Sequence, residues 1–239
     1  YRFISMDRLQ RIPTLSIIIP TLNEANHLPL LLADLKSWPR KLDLLIVDGG
    51  STDLTVSIGE IQGIKVIESL HRNRGYQLNL GASKAKGDWL LFLHADSRLD
   101  KSWEEKIIYI LKNYSSKEFA WYFNFKIRKN NFQYRLLEIA VAIRSYLFNK
   151  PYGDQGLLIH KDLYNSSKGY YPLKLMEDLE FITRLTKTNK LRGIGSDLYT
   201  DDIKWVNSNI IKHAIKNATL RRKWRQGYDI DQLSKEYYQ

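Results

Sequence analysis

The chain has 239 residues, 44% hydrophobic and 26% charged, a composition typical of a folded protein rather than a disordered one. It contains no cysteine, which excludes a disulfide scaffold, a thiol nucleophile and a zinc site built on thiolates. The formal net charge of +11 suits an anionic partner such as a nucleotide diphosphate, an anionic membrane surface or nucleic acid, although solubility alone would also account for it.

The apolar stretches of the chain are short. No hydrophobic run approaches the roughly 18 residues of a membrane-spanning helix, and no signal-peptide pattern opens the sequence. We therefore expect a cytoplasmic protein that is soluble or peripheral at the inner face of the membrane.

The first half alternates short strands with helices. Apolar runs predict buried strands over residues 15–19, 43–47, 64–68 and 90–93. Helices are predicted over residues 26–38, 54–61 and 76–84, with Asn26 as the N-cap of the first. This alternation indicates an α/β fold with a mostly parallel, Rossmann-like sheet flanked by helices.

Polar side chains follow three of these strands where each strand ends. They are Asn23 and Glu24, Asp48 and Asp53, and His94 and Asp96. Because the carboxyl ends of parallel strands face the ligand crevice, we expect the three groups to meet in one site. An Asp directly after a buried strand can hold a divalent cation, although an Asp-Ser turn is an equally ordinary interpretation of Asp96 taken alone.

The segment Asp48-Gly49-Gly50-Ser51-Thr52-Asp53 can approach a ligand closely because its glycines lack side chains. Its hydroxyls and carboxylates can hydrogen-bond a ribose or a base edge. It is neither a phosphate-binding P-loop nor a dinucleotide fingerprint. An ordinary strand-to-helix turn is the alternative interpretation.

The second half is less regular. Helices are predicted over residues 103–113, 134–148 and 176–188, strands over 119–127 and 157–160, and a basic helical stretch over 205–227. The helix over 134–148 carries Leu136, Leu137, Ile139, Ala140 and Ile143. No repeat or linker divides the chain, so we expect one domain over 1–239. Its parts are a nucleotide-binding half (14–100), an acceptor-side half (101–200) and a basic helical tail (201–239).

Several short motifs in this order resemble the family 2 glycosyltransferases, which have the GT-A fold. They are Ser-Ile-Ile-Ile-Pro-Thr-Leu-Asn-Glu at 16–24, Val-Asp-Gly-Gly-Ser-Thr-Asp at 47–53, Arg-Gly-Tyr-Gln-Leu-Asn-Leu-Gly-Ala at 74–82, Phe-Leu-His-Ala-Asp at 92–96, Tyr-Gly-Asp-Gln at 152–155 and Leu-Met-Glu-Asp at 175–178. The sequence is similar to a bacterial subgroup in which His-Ala-Asp replaces Asp-x-Asp.

The resemblance implies an inverting sugar transfer, with a hexosyltransferase expected, from a UDP- or GDP-linked sugar to a hydroxyl acceptor that the sequence does not identify. It implies that Asp96 coordinates Mg²⁺ or Mn²⁺ bridging the two phosphates of the donor. His94 is a further candidate ligand, although a structural imidazole is its commoner role. The residues expected to bind the donor or acceptor are Pro20, Thr21, Glu24, Asp48, Gly50, Ser51, Arg74, Gln77, Asp154 and Gln155.

The catalytic base implied by the resemblance is Asp178, beside Glu177. A weak hydroxyl nucleophile needs a positioned base, and the leaving diphosphate needs positive charge, which a cation and Arg72 or Arg74 can supply. The alternative is that both acids only favour the N-terminus of a helix. For Asp154 and Gln155 the alternative is a turn cap.

One segment departs from the subgroup pattern. Where a Ser-x-Arg-Arg-Trp type segment is usual, this chain reads Thr200-Asp201-Asp202-Ile203-Lys204-Trp205, which puts the phosphate contacts in doubt. The cluster Arg221-Arg222-Lys223 could compensate, or Asp201 or Asp202 could add a metal ligand.

Two competing functions remain. The first is a catalytically impaired protein of the same fold that binds an anionic membrane surface or polyanions through its basic tail. Nucleic acid is not expected, because no recognised binding motif accompanies the charge. The second is a sugar-1-phosphate nucleotidyltransferase, which would need a glycine-rich basic loop after the first strand, and residues 20–24 do not supply one.

Overall fold

The computed structural model describes residues 13–129, 131–188, 190–200 and 210–238. Within these residues eight strands form one sheet: β1 (Leu15–Thr21), β2 (Asp43–Asp48), β3 (Lys65–Glu68), β4 (Trp89–Phe92), β5 (Ser97–Leu99), β6 (Ala120–Ile127), β7 (Leu157–His160) and β8 (Leu191–Thr200). The helices are α1 (Leu28–Leu35), α2 (Thr55–Ile61), α3 (Arg74–Lys84), α4 (Trp103–Lys112), α5 (Phe132–Phe148), α6 (Lys161–Ser166), α7 (Glu177–Leu185), α8 (Ile210–Arg225) and α9 (Ile230–Tyr238). Among these described helices, none combines the length and apolarity needed to cross a bilayer.

The sheet has the order β3-β2-β1-β4-β7-β6-β8-β5 and is mostly parallel, as predicted. Strands β3, β2, β1 and β4 run parallel, and β6 is parallel to β8. Strand β7 is antiparallel to β4 and β6, and β5 is antiparallel to β8. The strand ends that carry the predicted site residues therefore lie on neighbouring strands.

The central strands are buried on both faces, which explains their unbroken apolar runs. Along β1, Ile17 and Ile19 belong to one apolar cluster and Ile18 to the other. Helix α3 packs closely on this strand because Gly81 faces Ile18, and a side chain at Gly81 would overlap it. The sheet therefore lies between two apolar cores, and the carboxyl ends of its parallel strands position the site.

The predicted elements of the first half are confirmed, with different ends. The first helix is shorter than predicted: α1 begins at Leu28 with His27 at its N-cap, so the prediction of Asn26 as the cap was wrong. Pro29 in the first turn has no N–H to satisfy, so the helix can begin at this point without a side-chain cap.

Strands β5 and β8 and helix α6 were not predicted from the sequence. Strand β5 has only three residues and β8 contains two glycines, so the apolar pattern of both strands is weak. The helical tail is present over residues 210–238. The departure at Asp201, Asp202 and Lys204 lies outside the described residues.

Candidate functional site

The ends of β1 and β2 lie side by side, with Thr21 opposite Asp48. The Thr21 hydroxyl donates to Asp48 Oδ1 at 2.9 Å, and the Ser51 hydroxyl donates to the same oxygen at 2.5 Å. The backbone N–H groups of Gly50 and Ser51 donate to Asp48 Oδ2 at 2.9 and 2.7 Å. The Asp48 carboxylate, 2% exposed, therefore shapes the turn after β2. The turn needs glycine at position 50, where φ is 89°.

A second set of hydrogen bonds joins the loops after β1 and β2. The Asn23 N–H donates to Ser51 Oγ at 2.8 Å, and Asn23 Oδ1 accepts from the Thr52 N–H at 2.8 Å. The Glu24 carboxylate lies 2.9 Å from His27 Nδ1. These contacts fix the two loops as one unit at the edge of the sheet.

Three of the residues predicted to bind a ligand are buried in the frame of the sheet. Gln77 is 5% exposed and donates to the carbonyl oxygens of Thr21 and Val47 at 2.9 and 2.7 Å. It holds the strand ends in place from α3. Pro20 is likewise buried within β1, opposite Val47.

Gln155 is the third of these buried residues. It is 1% exposed, and its Oε1 accepts from Ser145 Oγ at 2.8 Å and from Arg144 Nη2 at 3.1 Å. Its Nε2 donates to the carbonyl oxygen of Phe123 at 3.2 Å. These three hydrogen bonds use both the oxygen and the nitrogen of the Gln155 amide. Because they connect residues of α5 with β6, Gln155 stabilises the packing of α5 on the sheet.

A second group of charged residues meets beyond the end of β4. Arg74, at the start of α3, forms an ion pair with Glu177 at the start of α7. Glu177 is 2% exposed, whereas the Arg74 side chain is 42% exposed and can still face a ligand. Arg74 Nη1 also lies 3.4 Å from His94 Nε2. Three distant parts of the sequence thus converge here.

Asp178 belongs to the same group. Its Oδ2 accepts from the backbone N–H of Gly153 at 2.9 Å. A Cβ placed on Gly153 would lie 3.0 Å from His94 Nε2 and 3.2 Å from Asp178 Oδ2. Gly153 therefore lies between His94 and Asp178, and a glycine leaves room for both. Met176, at the N-cap of α7, has a left-handed backbone with φ 62°, which orients the start of this helix.

The three acids near this point, Glu177, Asp178 and Asp154, differ in pKa. Burial raises the pKa of Asp178, but the charge of Arg74 and the N–H groups of Gly153 and Leu179 outweigh it, so the net pKa is lowered. Burial raises the pKa of Glu177 above its ordinary value despite the Arg74 charge. Burial likewise raises the pKa of Asp154, which Arg144 only partly offsets. Asp178 is consequently the member of this group that stays ionised most readily.

Asp96 lies just beyond β4 and is 6% exposed. In the described part of the chain, no group of three His, Cys, Asp or Glu residues is arranged to hold a metal ion. Magnesium is often held by only one or two carboxylates together with substrate phosphates. A single carboxylate at Asp96 fits that mode of binding.

An aromatic and arginine cluster borders the site and was not predicted. The guanidinium of Arg144 lies 3.8 Å from the centre of the Tyr152 ring, and that of Arg221 lies 5.3 Å from it. Of the proposed basic cluster in the tail, Arg221 reaches this position, whereas Lys223 pairs with Glu236 of α9. Tyr152 and Arg221 are 69 residues apart, so no local pattern in the sequence predicts their contact.

Beside this cluster, an open groove of about 810 Å³ runs between α5 and strands β6 and β8. Tyr122, Phe125 and Tyr146 line it with apolar surface. Gln155 also lines the groove. The elements around the groove belong to the half of the chain, 101–200, that is expected to bind the acceptor.

Comparison with known proteins adds independent information. Residues 16–171 match the model of the family described as glycosyl transferase family 2. A PGL/p-HBAD biosynthesis glycosyltransferase of Mycobacterium tuberculosis is 44% identical over 97 residues, covering 36% of this chain and 37% of the relative. A 4,4'-diaponeurosporenoate glycosyltransferase of Staphylococcus haemolyticus is 31% identical over 113 residues, covering 44% and 30%. The matches thus span about a third of the length of these relatives.

Two solved structures share the fold. S. aureus TarS 1-349 in complex with UDP-GlcNAc matches with a TM-score of 0.57 and 17% identity, covering 79% of this chain and 58% of that one. The mannosyltransferase PcManGT from Pyrobaculum calidifontis, in complex with GDP-Man and Mn²⁺, matches with a TM-score of 0.61 and 17% identity, covering 90% and 62%. At this identity the likeness concerns the fold alone.

Proposed function

Because the chain belongs to glycosyl transferase family 2 and has the GT-A fold, we propose that it transfers a sugar from a nucleotide-diphosphate sugar to a hydroxyl acceptor. One observation carries this proposal beyond family membership. Asp178, with its lowered pKa, lies beside His94 at the strand ends, on the same edge of the sheet as the Thr21–Asp48 pair. A base and a nucleotide pocket on one edge are what a single displacement requires.

The donor nucleotide is proposed to bind over the turn after β2. Thr21, Glu24 and the turn that contains Asp48, Gly50 and Ser51 are proposed to line this end. Arg72 donates to the carbonyl oxygen of Gly50 at 3.1 Å and lies at the same turn. The base of the donor is proposed to be uracil or guanine, in line with UDP-GlcNAc and GDP-Man in the two structural neighbours.

Asp96 is the residue proposed to hold Mg²⁺ or Mn²⁺, with His94 as a second candidate ligand. When bound, the cation supplies positive charge against the diphosphate that leaves. Arg74 is proposed to add to that charge, since its guanidinium is partly exposed beside His94. The Mn²⁺ in the mannosyltransferase neighbour supports a divalent ion.

Asp178 is proposed as the general base. Its carboxylate takes the proton of the acceptor hydroxyl while the acceptor oxygen bonds to the anomeric carbon. The bond from that carbon to the diphosphate breaks in the same step, so the configuration inverts. Glu177 positions Arg74 in this scheme, and Asp154 borders the acceptor. We further propose that residues 14–200 act as one catalytic unit, with the basic tail packed beside it.

A thermal-shift series tests the proposal with UDP, GDP and a deoxynucleotide, each with and without Mn²⁺. We expect one nucleotide diphosphate to raise the melting temperature in a Mn²⁺-dependent way, and Asp96→Ala to abolish the metal-dependent part. Equal, salt-sensitive shifts with every polyanion would instead favour the impaired, polyanion-binding alternative. That alternative draws on the basic tail and includes peripheral membrane contact and a location at the inner membrane face.

A further inference from the structure

Helix α5 exposes large apolar side chains along one face. The spacing alternates between four and three residues, which places them on the same side of a helix. They are Phe132, Leu136, Ile139, Ile143, Tyr146 and Leu147, and their exposed fractions run from 48% to 81%. The opposite face is buried through Tyr134, Glu138, Val141 and Ser145. Such a continuous exposed patch is unlike the single apolar residues that ordinary surfaces carry. We call these six residues the apolar face of α5.

The segment of chain that carries the apolar face is basic. Residues 119–153 contain six Lys or Arg and one acid, Glu138. Glu138 is 5% exposed and is held by Lys126 and Arg135, so it offers no negative charge to the surface. Arg128 and Lys129 are exposed before the helix, and Lys150 follows it. An apolar stripe flanked by cations is typical of a helix that lies in a membrane interface.

We propose that the apolar face of α5 docks on an anionic lipid bilayer. The apolar side chains would enter the boundary between headgroups and acyl chains, and the lysines and arginines would contact the anionic headgroups. The four-and-three spacing also suits a helix pair between two copies of the chain. Charge favours the bilayer, because a symmetric pair would bring the same cations together without an exposed acid on this segment to offset them.

Docking of the apolar face of α5 would also affect the groove beside it. Ile139 and Tyr146 belong to the apolar face and also line the same groove as Gln155. Docking would therefore place the open side of the groove at the bilayer surface. This consequence depends on the proposed function, whereas docking itself does not.

Vesicle co-sedimentation tests docking with the full chain. The test variant is the double substitution Ile139→Glu/Ile143→Glu. The control variant is Ile61→Glu/Leu70→Glu, because Ile61 and Leu70 lie outside α5 and are 84% and 85% exposed. Both variants change the net charge equally. With vesicles containing phosphatidylglycerol, we expect the α5 variant to lose at least about tenfold in partitioning and the control to keep it. Vesicles of phosphatidylcholine alone should bind the wild-type chain more weakly.

Three results would overturn the proposal: no binding of the wild-type chain, an equal loss in both variants, or a dimer that the α5 variant dissociates in light scattering. Circular dichroism melting of the variants checks that both fold. Nucleotide-induced thermal shifts are measured separately. A chain that binds vesicles but no nucleotide would contradict the proposed function and leave docking supported.

Discussion

The backbone N–H of Gly153 donates to Asp178 across 2.9 Å, although the two residues belong to separate elements 25 positions apart. This bond, together with the charge of Arg74, lowers the pKa of Asp178 against the effect of burial. The proposed base is therefore kept ionised by contacts that the fold supplies.

Asp178→Asn should abolish transfer while leaving the donor bound. Removing a general base typically costs about 10²- to 10⁴-fold in rate. The measurement is turnover of the donor beside its dissociation constant. Asp162→Asn is the matched control, because the Asp162 side chain is 90% exposed and lies on α6. Full turnover in Asp178→Asn would show that another group is the base.

Gly153→Ala should also impair transfer, for a steric reason. The added Cβ would lie 3.0 Å from His94 and 3.2 Å from Asp178, so one of these side chains must shift. Gly193→Ala is the control, since a Cβ there meets no atom within 4 Å. We expect a drop in kcat of at least about tenfold for Gly153→Ala, because small misplacements of catalytic groups are costly. Equal rates in both variants would contradict the proposed geometry.

The pH dependence of transfer should change when Arg74 is replaced. Since Arg74 lowers the pKa of Asp178, Arg74→Gln should move the acidic limb of the kcat profile to higher pH. In the wild-type chain the lowered pKa of Asp178 stabilises the fold at pH values above the ordinary aspartate pKa. This contribution is lost as the pH falls through the pKa that Asp178 has in the folded chain. If the acidic limb of the kcat profile does not move in Arg74→Gln, Asp178 is not the general base.

Arg74→Gln also leaves Glu177 buried without its cation. Breaking a buried pair costs about 3–5 kcal/mol, and we expect about 2 kcal/mol here because Arg74 is partly exposed. The double variant Arg74→Gln/Glu177→Gln should recover part of that stability in urea unfolding. In this double variant the acidic limb of the kcat profile should stay at the higher pH. A recovery of stability without a return of the acidic limb would separate the effect of Arg74 on folding from its effect on the pKa of Asp178.

Gln155→Met should destabilise the chain by about 2 kcal/mol, because it leaves Ser145, Arg144 and the Phe123 carbonyl without this partner. Gln62→Met, at an exposed position, is the control. Urea unfolding measures the difference. If Gln155→Met instead weakens substrate binding at unchanged stability, the original expectation of a ligand contact would be restored.

The sequence by itself determined strands β1 to β4, helices α1 to α3 and the order of the motifs. Buried runs such as Leu90–Leu93 and the spacing of Leu28, Leu31 and Leu35 are local patterns, and each encodes its own element. The family resemblance rested on the same short stretches, and the match over residues 16–171 confirms it.

Only the tertiary structure decided which of the motif residues are exposed and which are buried in contact with the sheet. Gln77 and Gln155 have the same residue type as a ligand-binding side chain, but burial directs their amides to backbone and to Ser145. The apolar residues of α5 have core-like spacing, yet the sheet packs on the opposite face through Tyr134 and Val141. The physical reason is that hydrogen-bond partners and buried faces depend on contacts between distant segments, which a local pattern does not encode.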